Sequence, residues 1–162
     1  MSTRNSVLAF GALLLAACAG GSAGSVAPIG SAEGAVREFL AAVSDSNIAR
    51  MGRAWGSTSG PAAVTNKPDN WEERLKVVQI ILRGGTYRVT SNVADPTATN
   101  KRNLNVEYTR GPCVKNVPFV AVQTNNGWLV ESMDVSAAGN PINPCPAPPG
   151  SEGAATPPAG NP

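Results

Sequence analysis

The chain has 162 residues, 42% of them hydrophobic, with 13 basic and 11 acidic side chains, a formal net charge of +2 and no histidine. That length supports one ordinary domain with a real core rather than two, and the scattered basic residues (Arg50, Arg53, Arg83, Arg88, Lys101, Arg102) form no stripe suited to nucleic acid. Without histidine there is no Ser-His-Asp or Cys-His arrangement, no imidazole acid-base chemistry and no imidazole-dependent metal site, so no cofactor and no metal are expected.

At the N-terminus, Arg4 precedes an apolar run from Val7 to Ala17 that is too short to span a bilayer unaided. The run closes on Leu15-Ala16-Ala17-Cys18, a branched apolar residue, two small ones and a cysteine. This resembles the lipobox of bacterial lipoproteins. The resemblance implies diacylglycerol on the Cys18 thiol, cleavage before Cys18 so that residues 1–17 are a signal peptide, and acylation of the new amino group. Two buried acyl chains, at roughly 0.8 kcal/mol per methylene, hold a protein on a membrane where a single chain binds reversibly. The expected address is therefore the bacterial cell envelope, with the membrane as a partner through acylated Cys18. Ala19 in place of Asp implies the outer membrane where a bacterium has two. The rival readings are secretion with cleavage after Ala17-Cys18-Ala19, and an uncleaved helix, which Gly20-Gly21 opposes.

Residues 18–30 are mainly Gly, Ala and Ser and read as a tether. A first helix is expected in SAEGAVREFLAAVSD, with Ser31 as N-cap and Ala32, Ala35, Val36, Phe39, Leu40 and Val43 at helical spacing. A second follows in SNIARMGRAWG, capped by Ser46, with Ile48, Met51, Ala54 and Trp55 on one face. After a loop through Pro61 and Pro68, DNWEERLKVVQIILRGG spaces Trp71, Leu75, Val78 and Leu82 as a third helix, capped by Asp69 or Asn70 and closed by Gly84-Gly85.

From Thr86 the period changes to two. Tyr87, Val89 and Val93 fall on one face of a first strand, and Leu104, Val106 and Tyr108 on one face of a second. Two more strands, Val114 to Thr124 and Trp128 to Val135, join through Asn125-Asn126-Gly127, which suits a tight antiparallel turn. Pro118 belongs at an edge or a bulge. In the last strand Trp128 and Val130 alternate against Leu129, Met133 and Val135, so either a bulge rotates it or both of its faces are covered. Residues 138–162 are rich in Pro, Gly and Ala and read as a solvated tail. With Cys18 assigned to lipid, Cys113 and Cys145 have one intramolecular pairing, and an exported protein meets an oxidising compartment; a disulfide between them is expected to pin the tail up to Cys145.

Helices followed by antiparallel strands make an α+β domain over residues 31–137, with three N-terminal helices packed on a curved four-stranded antiparallel sheet. AVREFLAAVSDSNIARMGRAW and the terminal NNGWLVESMDV resemble the nuclear transport factor 2-like superfamily, a cone-shaped fold with a cavity between sheet and helices. A cystatin-like sheet wrapped on a helix is the nearest rival. No motif of the superfamily's catalytic members transfers residue by residue. Alternation nevertheless points Tyr87 and Tyr108 inward, places Glu107 outward, and leaves the facing of Glu131 and Asp134 open. Tyr87, Tyr108, Glu131 and Asp134 are thus the candidate pocket residues, although buried tyrosines usually serve the core and strand carboxylates are usually solvated. Two functions follow. The one needing fewer special residues is a lipid-anchored, non-catalytic domain that binds a small apolar ligand or an envelope protein partner. The other is a lyase or isomerase using a carboxylate and a tyrosine in the cone.

Overall fold

In the computed structural model, which describes residues 27–142 and Cys145, the first helix starts where its cap was expected. Ser31 Oγ accepts from the Gly34 amide at 3.0 Å, and α1 (Ala32–Ser44) buries Ala32, Ala35, Val36, Phe39, Leu40, Ala42 and Val43. Each fully buried Val, Leu or Phe contributes roughly 1.5–3 kcal/mol, so this one stripe dominates the packing of the helix. The lipobox, Cys18, the signal residues and the tail beyond Cys145 lie outside the described residues.

The described residues form four α-helices, one more than expected. α2 (Ile48–Ala54) is capped by Asn47, whose Oδ1 accepts from the Arg50 amide at 2.9 Å, and not by Ser46. Ser46 instead takes the turn itself, at φ 54°, and its Oγ accepts from Gln79 Nε2 at 2.7 Å. The segment read as a loop holds two short strands, β1 (Gly56–Ser57) and β2 (Gly60–Pro61), paired antiparallel, and the single-turn α3 (Ala62–Thr65). Pro61, with its ring-fixed φ of −62°, leads into that turn, and Thr65 Oγ1 donates back to Pro61 O at 3.1 Å. α4 (Trp71–Leu82) buries Trp71, Leu75 and Leu82. Its N-cap Asn70 makes no capping bond, because its Oδ1 accepts from Arg74 Nε at 2.9 Å. Gly52 permits the α2–α4 contact, since a Cβ there would collide with the Trp71 ring.

Four antiparallel strands follow in the order of the chain: β3 (Thr86–Ala94), β4 (Lys101–Arg110), β5 (Cys113–Thr124) and β6 (Gly127–Met133). Leu104, Val106 and Tyr108 share the buried face with Val117, Phe119 and Ala121. Two register shifts change the expected facing. The shift between Val89 and Ser91 leaves Thr90 extra in β3, so Val93 turns outward and is 55% exposed instead of joining Tyr87 and Val89.

In β6, Val120 pairs with Ser132 and Ala121 with Val130, which leaves Glu131 as the extra residue. That bulge brings Met133 back into phase with Val130, against the core. Leu129 and its partner Val122 are buried on the other face, so the bulge and the two covered faces both occur. β6 stops at Met133, and Val135 enters a 3-10 turn (Val135–Ala138) instead of continuing the strand. Pro118 sits where β6 ends: its carbonyl accepts from the Asp134 amide at 3.0 Å, past the last β5–β6 pair.

Cys113 and Cys145 form the disulfide, with Cα atoms 5.7 Å apart, tying the start of β5 to the chain beyond the 3-10 turn. Ile29, counted with the tether in the sequence, packs against the core, and its carbonyl accepts from the Trp128 amide at 2.9 Å.

Candidate functional site

The space between sheet and helices is occupied by side chains. Phe39, Met51, Leu75 and Leu104 are each at most 1% exposed, and Phe119 fills the sheet side at 2%. Tyr108 belongs to this packing. Its ring is 2% exposed and its hydroxyl donates to Leu82 O at 3.1 Å, at the C-terminus of α4. Burial pushes the Tyr108 hydroxyl above its ordinary pKa, and the neighbouring Arg110 opposes that rise. The Arg110 guanidinium lies 5.3 Å from the Tyr108 ring centroid, and its Nη2 donates to Ile81 O at 2.6 Å and Arg83 O at 2.5 Å. Two side chains of β4 therefore satisfy three successive carbonyls at a helix end whose last turn holds no basic residue. Tyr87 stands opposite Tyr108 in the β3–β4 register and is half-buried against the core.

Glu131 and Asp134 are elsewhere. Glu131, the bulge residue, pairs with Lys101 Nζ at 2.6 Å. Asp134 is exposed and caps the 3-10 turn, with Oδ1 accepting from Ser136 Oγ at 2.5 Å and Ser136 N at 3.1 Å. The Ser136 hydroxyl bond holds the Asp134 carboxyl below the ordinary carboxylate range. Glu107 faces outward as expected and pairs with Arg88 at 3.0 Å. The four candidate residues thus do not converge: Tyr108 supports the end of α4, Tyr87 packs against the core beside it, and the carboxylates lie around the end of β6.

What does converge there is a two-lobed open groove around Trp55. One lobe, about 330 Å³, is bordered by Trp55, Gly56, Lys67, Pro68 and Glu131. The other, about 270 Å³, runs between α4 and β6 and is lined by Trp55, Arg74, Leu75, Val78, Glu131, Ser132, Met133 and Val135. Trp55 is the joint. It is read from sequence as an inward position of a helix, yet it is the extended C-cap of α2, bridges Val130 in parallel, and donates its indole N–H to Glu131 O at 3.1 Å. Glu131 is the extra residue of the bulge, and the indole satisfies its carbonyl. The only sequence signal for this role is a large aromatic directly before Gly56, where the helical pattern runs out.

Chemically the groove sets apolar surface from Trp55, Leu75, Val78, Met133 and Val135 beside Glu131, which borders both lobes, and the exposed cations Arg74 and Lys67. Arg74 is engaged with Asn70 at 2.9 Å, and Lys67 with Asp69 at 2.6 Å. Such a surface can take up an apolar body and orient a polar end. Among the described residues no group of three or more Cys, Asp or Glu side chains could hold a metal ion, and no helix is long and apolar enough to cross a membrane. No protein-family model matches the chain, and no curated protein is similar to it at a significant level.

Proposed function

We propose that this protein is a bacterial envelope lipoprotein, acylated at Cys18, whose domain binds a small apolar ligand in the groove beside Trp55 without catalysing a reaction. One observation carries the non-catalytic reading: the interior is filled by Phe39, Phe119, Met51, Leu75 and Leu104, while the polar groups nearest to it, Tyr108 and Arg110, are committed to the end of α4. A lyase or isomerase would need a carboxylate beside a tyrosine in a closed apolar space. Glu131 is instead held by Lys101 at the sheet edge, and Asp134 by its own 3-10 turn.

In this reading the domain is a nuclear transport factor 2-like cone, with α1, α2 and α4 laid on a curved sheet. The order of helices before four antiparallel strands supports it, and the extra residues at Thr90 and Glu131 supply the bends that curve a sheet. The anchor rests on the spacing Leu15-Ala16-Ala17-Cys18.

Two measurements test the proposal. Palmitate labelling in a bacterial host is expected for the wild type and lost in Cys18→Ala; equal labelling of both refutes the anchor. The purified protein is expected to raise the emission of anilinonaphthalene sulfonate, and Val78→Trp, which fills the α4 side of the groove, is expected to suppress that rise. Undiminished enhancement refutes the groove as the binding site.

A further inference from the structure

A second apolar surface lies where the tether joins the domain. The chain enters along the start of β6, where Gly127, at φ 106°, lets the backbone of Ile29 come so close that a Cβ would meet it at 2.8 Å. Beside this entering segment is an open groove of about 290 Å³, whose walls include Pro28, Arg53, Pro61, Val64, Trp128 and Leu129. Val64 is 71% exposed, and nothing in the core requires an apolar side chain at that position. Arg53, exposed on α2, stands at the rim. The carboxylate in the adjoining depression, Glu38, is held bidentately by Arg50 at 2.6 and 2.9 Å.

We propose that this groove seats on the lipid surface that carries the Cys18 acyl chains, with Val64 and Trp128 entering the boundary between headgroups and acyl chains and Arg53 meeting lipid phosphate. This inference rests on the anchor proposed above. Three arguments select a lipid surface as the occupant. Cys18 and Ala27, the first described residue, are nine residues apart, so the chain between them reaches at most about 32 Å. Ala27, Pro28 and Ile29 themselves line the groove, so it is an open surface close along the chain to Cys18, and a short link holds it near the bilayer at an effective concentration in the millimolar range, so weak docking suffices. The side chains also suit the place. Tryptophan prefers the membrane–water boundary, and arginine can lay its stem on apolar surface while its head stays with phosphate.

The test uses the acylated protein purified from a lipoprotein-processing host and reconstituted in vesicles of phosphatidylcholine and phosphatidylglycerol, with plain or brominated acyl chains. Bromine quenches only indoles that reach the chains. Loss of emission in brominated vesicles is expected for the wild type, and it should disappear in Trp128→Phe, which removes the reporter, and in Val64→Asp, which places a carboxylate at an exposed position without touching the core. Mass spectrometry of the N-terminal peptide separates the two readings. Acyl chains on Cys18 with equal emission in both vesicles overturn the docking and leave the anchor standing. An unacylated Cys18 overturns both. Protection of Trp128 from acrylamide in native membranes but not in pure lipid would assign the groove to a protein partner and overturn lipid docking.

Discussion

Replacing Arg110 with Met tests whether the end of α4 is held from the sheet. The guanidinium Nη2 bridges Ile81 O and Arg83 O, and the group lies over the Tyr108 ring. A hydrogen bond from a charged donor is worth about 1.5–3 kcal/mol net, and here one nitrogen serves two carbonyls, so about 2 kcal/mol is assigned to the bridge. The ring contact adds about 0.5–1 kcal/mol. Against this, Arg110 Nη1 is buried with no hydrogen-bond partner among the described residues, and its removal returns about 1 kcal/mol. Urea unfolding should therefore show Arg110→Met destabilised by about 2 kcal/mol, with amide exchange accelerated in the last turn of α4 and unchanged in α1. Tyr108→Phe, which loses only the bond to Leu82 O, should cost about 1 kcal/mol. Because the two side chains touch, the double variant should depart from additivity by at least about 0.5 kcal/mol. A change below about 0.5 kcal/mol for Arg110→Met, or exchange that quickens equally in α1 and α4, would refute the bracing role.

Phe39→Ala empties the centre of the core, where Phe39 is 0% exposed, and should cost about 3–5 kcal/mol by urea unfolding. Reducing the Cys113–Cys145 disulfide, 32 residues apart in sequence, should lower stability by about 4 kcal/mol in the loop-entropy account, read from the urea midpoint with and without reductant. Asp95 accepts from the Thr97 hydroxyl at 2.7 Å and its amide at 2.8 Å, with Asn103 at 3.0 Å, and these bonds hold its carboxyl at about 2 against an ordinary 3.8. A depressed carboxylate stabilises the fold above its unfolded pKa and loses that effect as pH falls through the folded one, so the β3–β4 loop should loosen between about pH 4 and pH 2. Carbon-13 titration should place Asp95 near the lower figure and show it rising in Thr97→Val. Glu38 is lowered chiefly by its hydrogen bonds from Arg50, so Arg50→Met should raise its titration midpoint in the same experiment while costing on the order of 1 kcal/mol or less.

The elements that were legible in the sequence are those whose signal is local. The stripe from Ala32 to Val43 and the alternation of Leu104, Val106 and Tyr108 each follow from one period and one buried face, and Ser31 caps because its own oxygen reaches an amide three residues on. The cysteine pairing was also accessible, since setting one thiol aside leaves a single combination. Where the reading missed, the deciding contact came from far along the chain. Val93 turns outward because an extra residue in β3 shifts its register against β4, and no residue type announces that shift. The caps of α2 moved by one residue because Ser46 is taken by Gln79 of α4. The short turn Ala62–Thr65 is below the length at which periodicity can be seen.

The candidate site divides in the same way. Residue types alone named Tyr108, Glu131 and Asp134 as groups able to do chemistry, because a hydroxyl or carboxylate is visible in any sequence. Their employment was settled by partners 26, 30 and 2 residues away, namely Leu82 O, Lys101 and Ser136. Arg110, whose contacts define the end of α4, carries no local signal, and Trp55, whose contacts define the groove, carries only its place before Gly56 where the helical pattern runs out. A polar group's role is set by what satisfies it, and for a buried or half-buried group that partner is supplied by the fold. Sequence alone determined the α+β order, the inward faces of α1 and β4 and the cysteine arithmetic of this protein. The tertiary structure decided which surfaces remain open to a ligand, because only packing fixes which apolar side chains are consumed by the core and which, like those around Trp55 and Val64, are left at its edge.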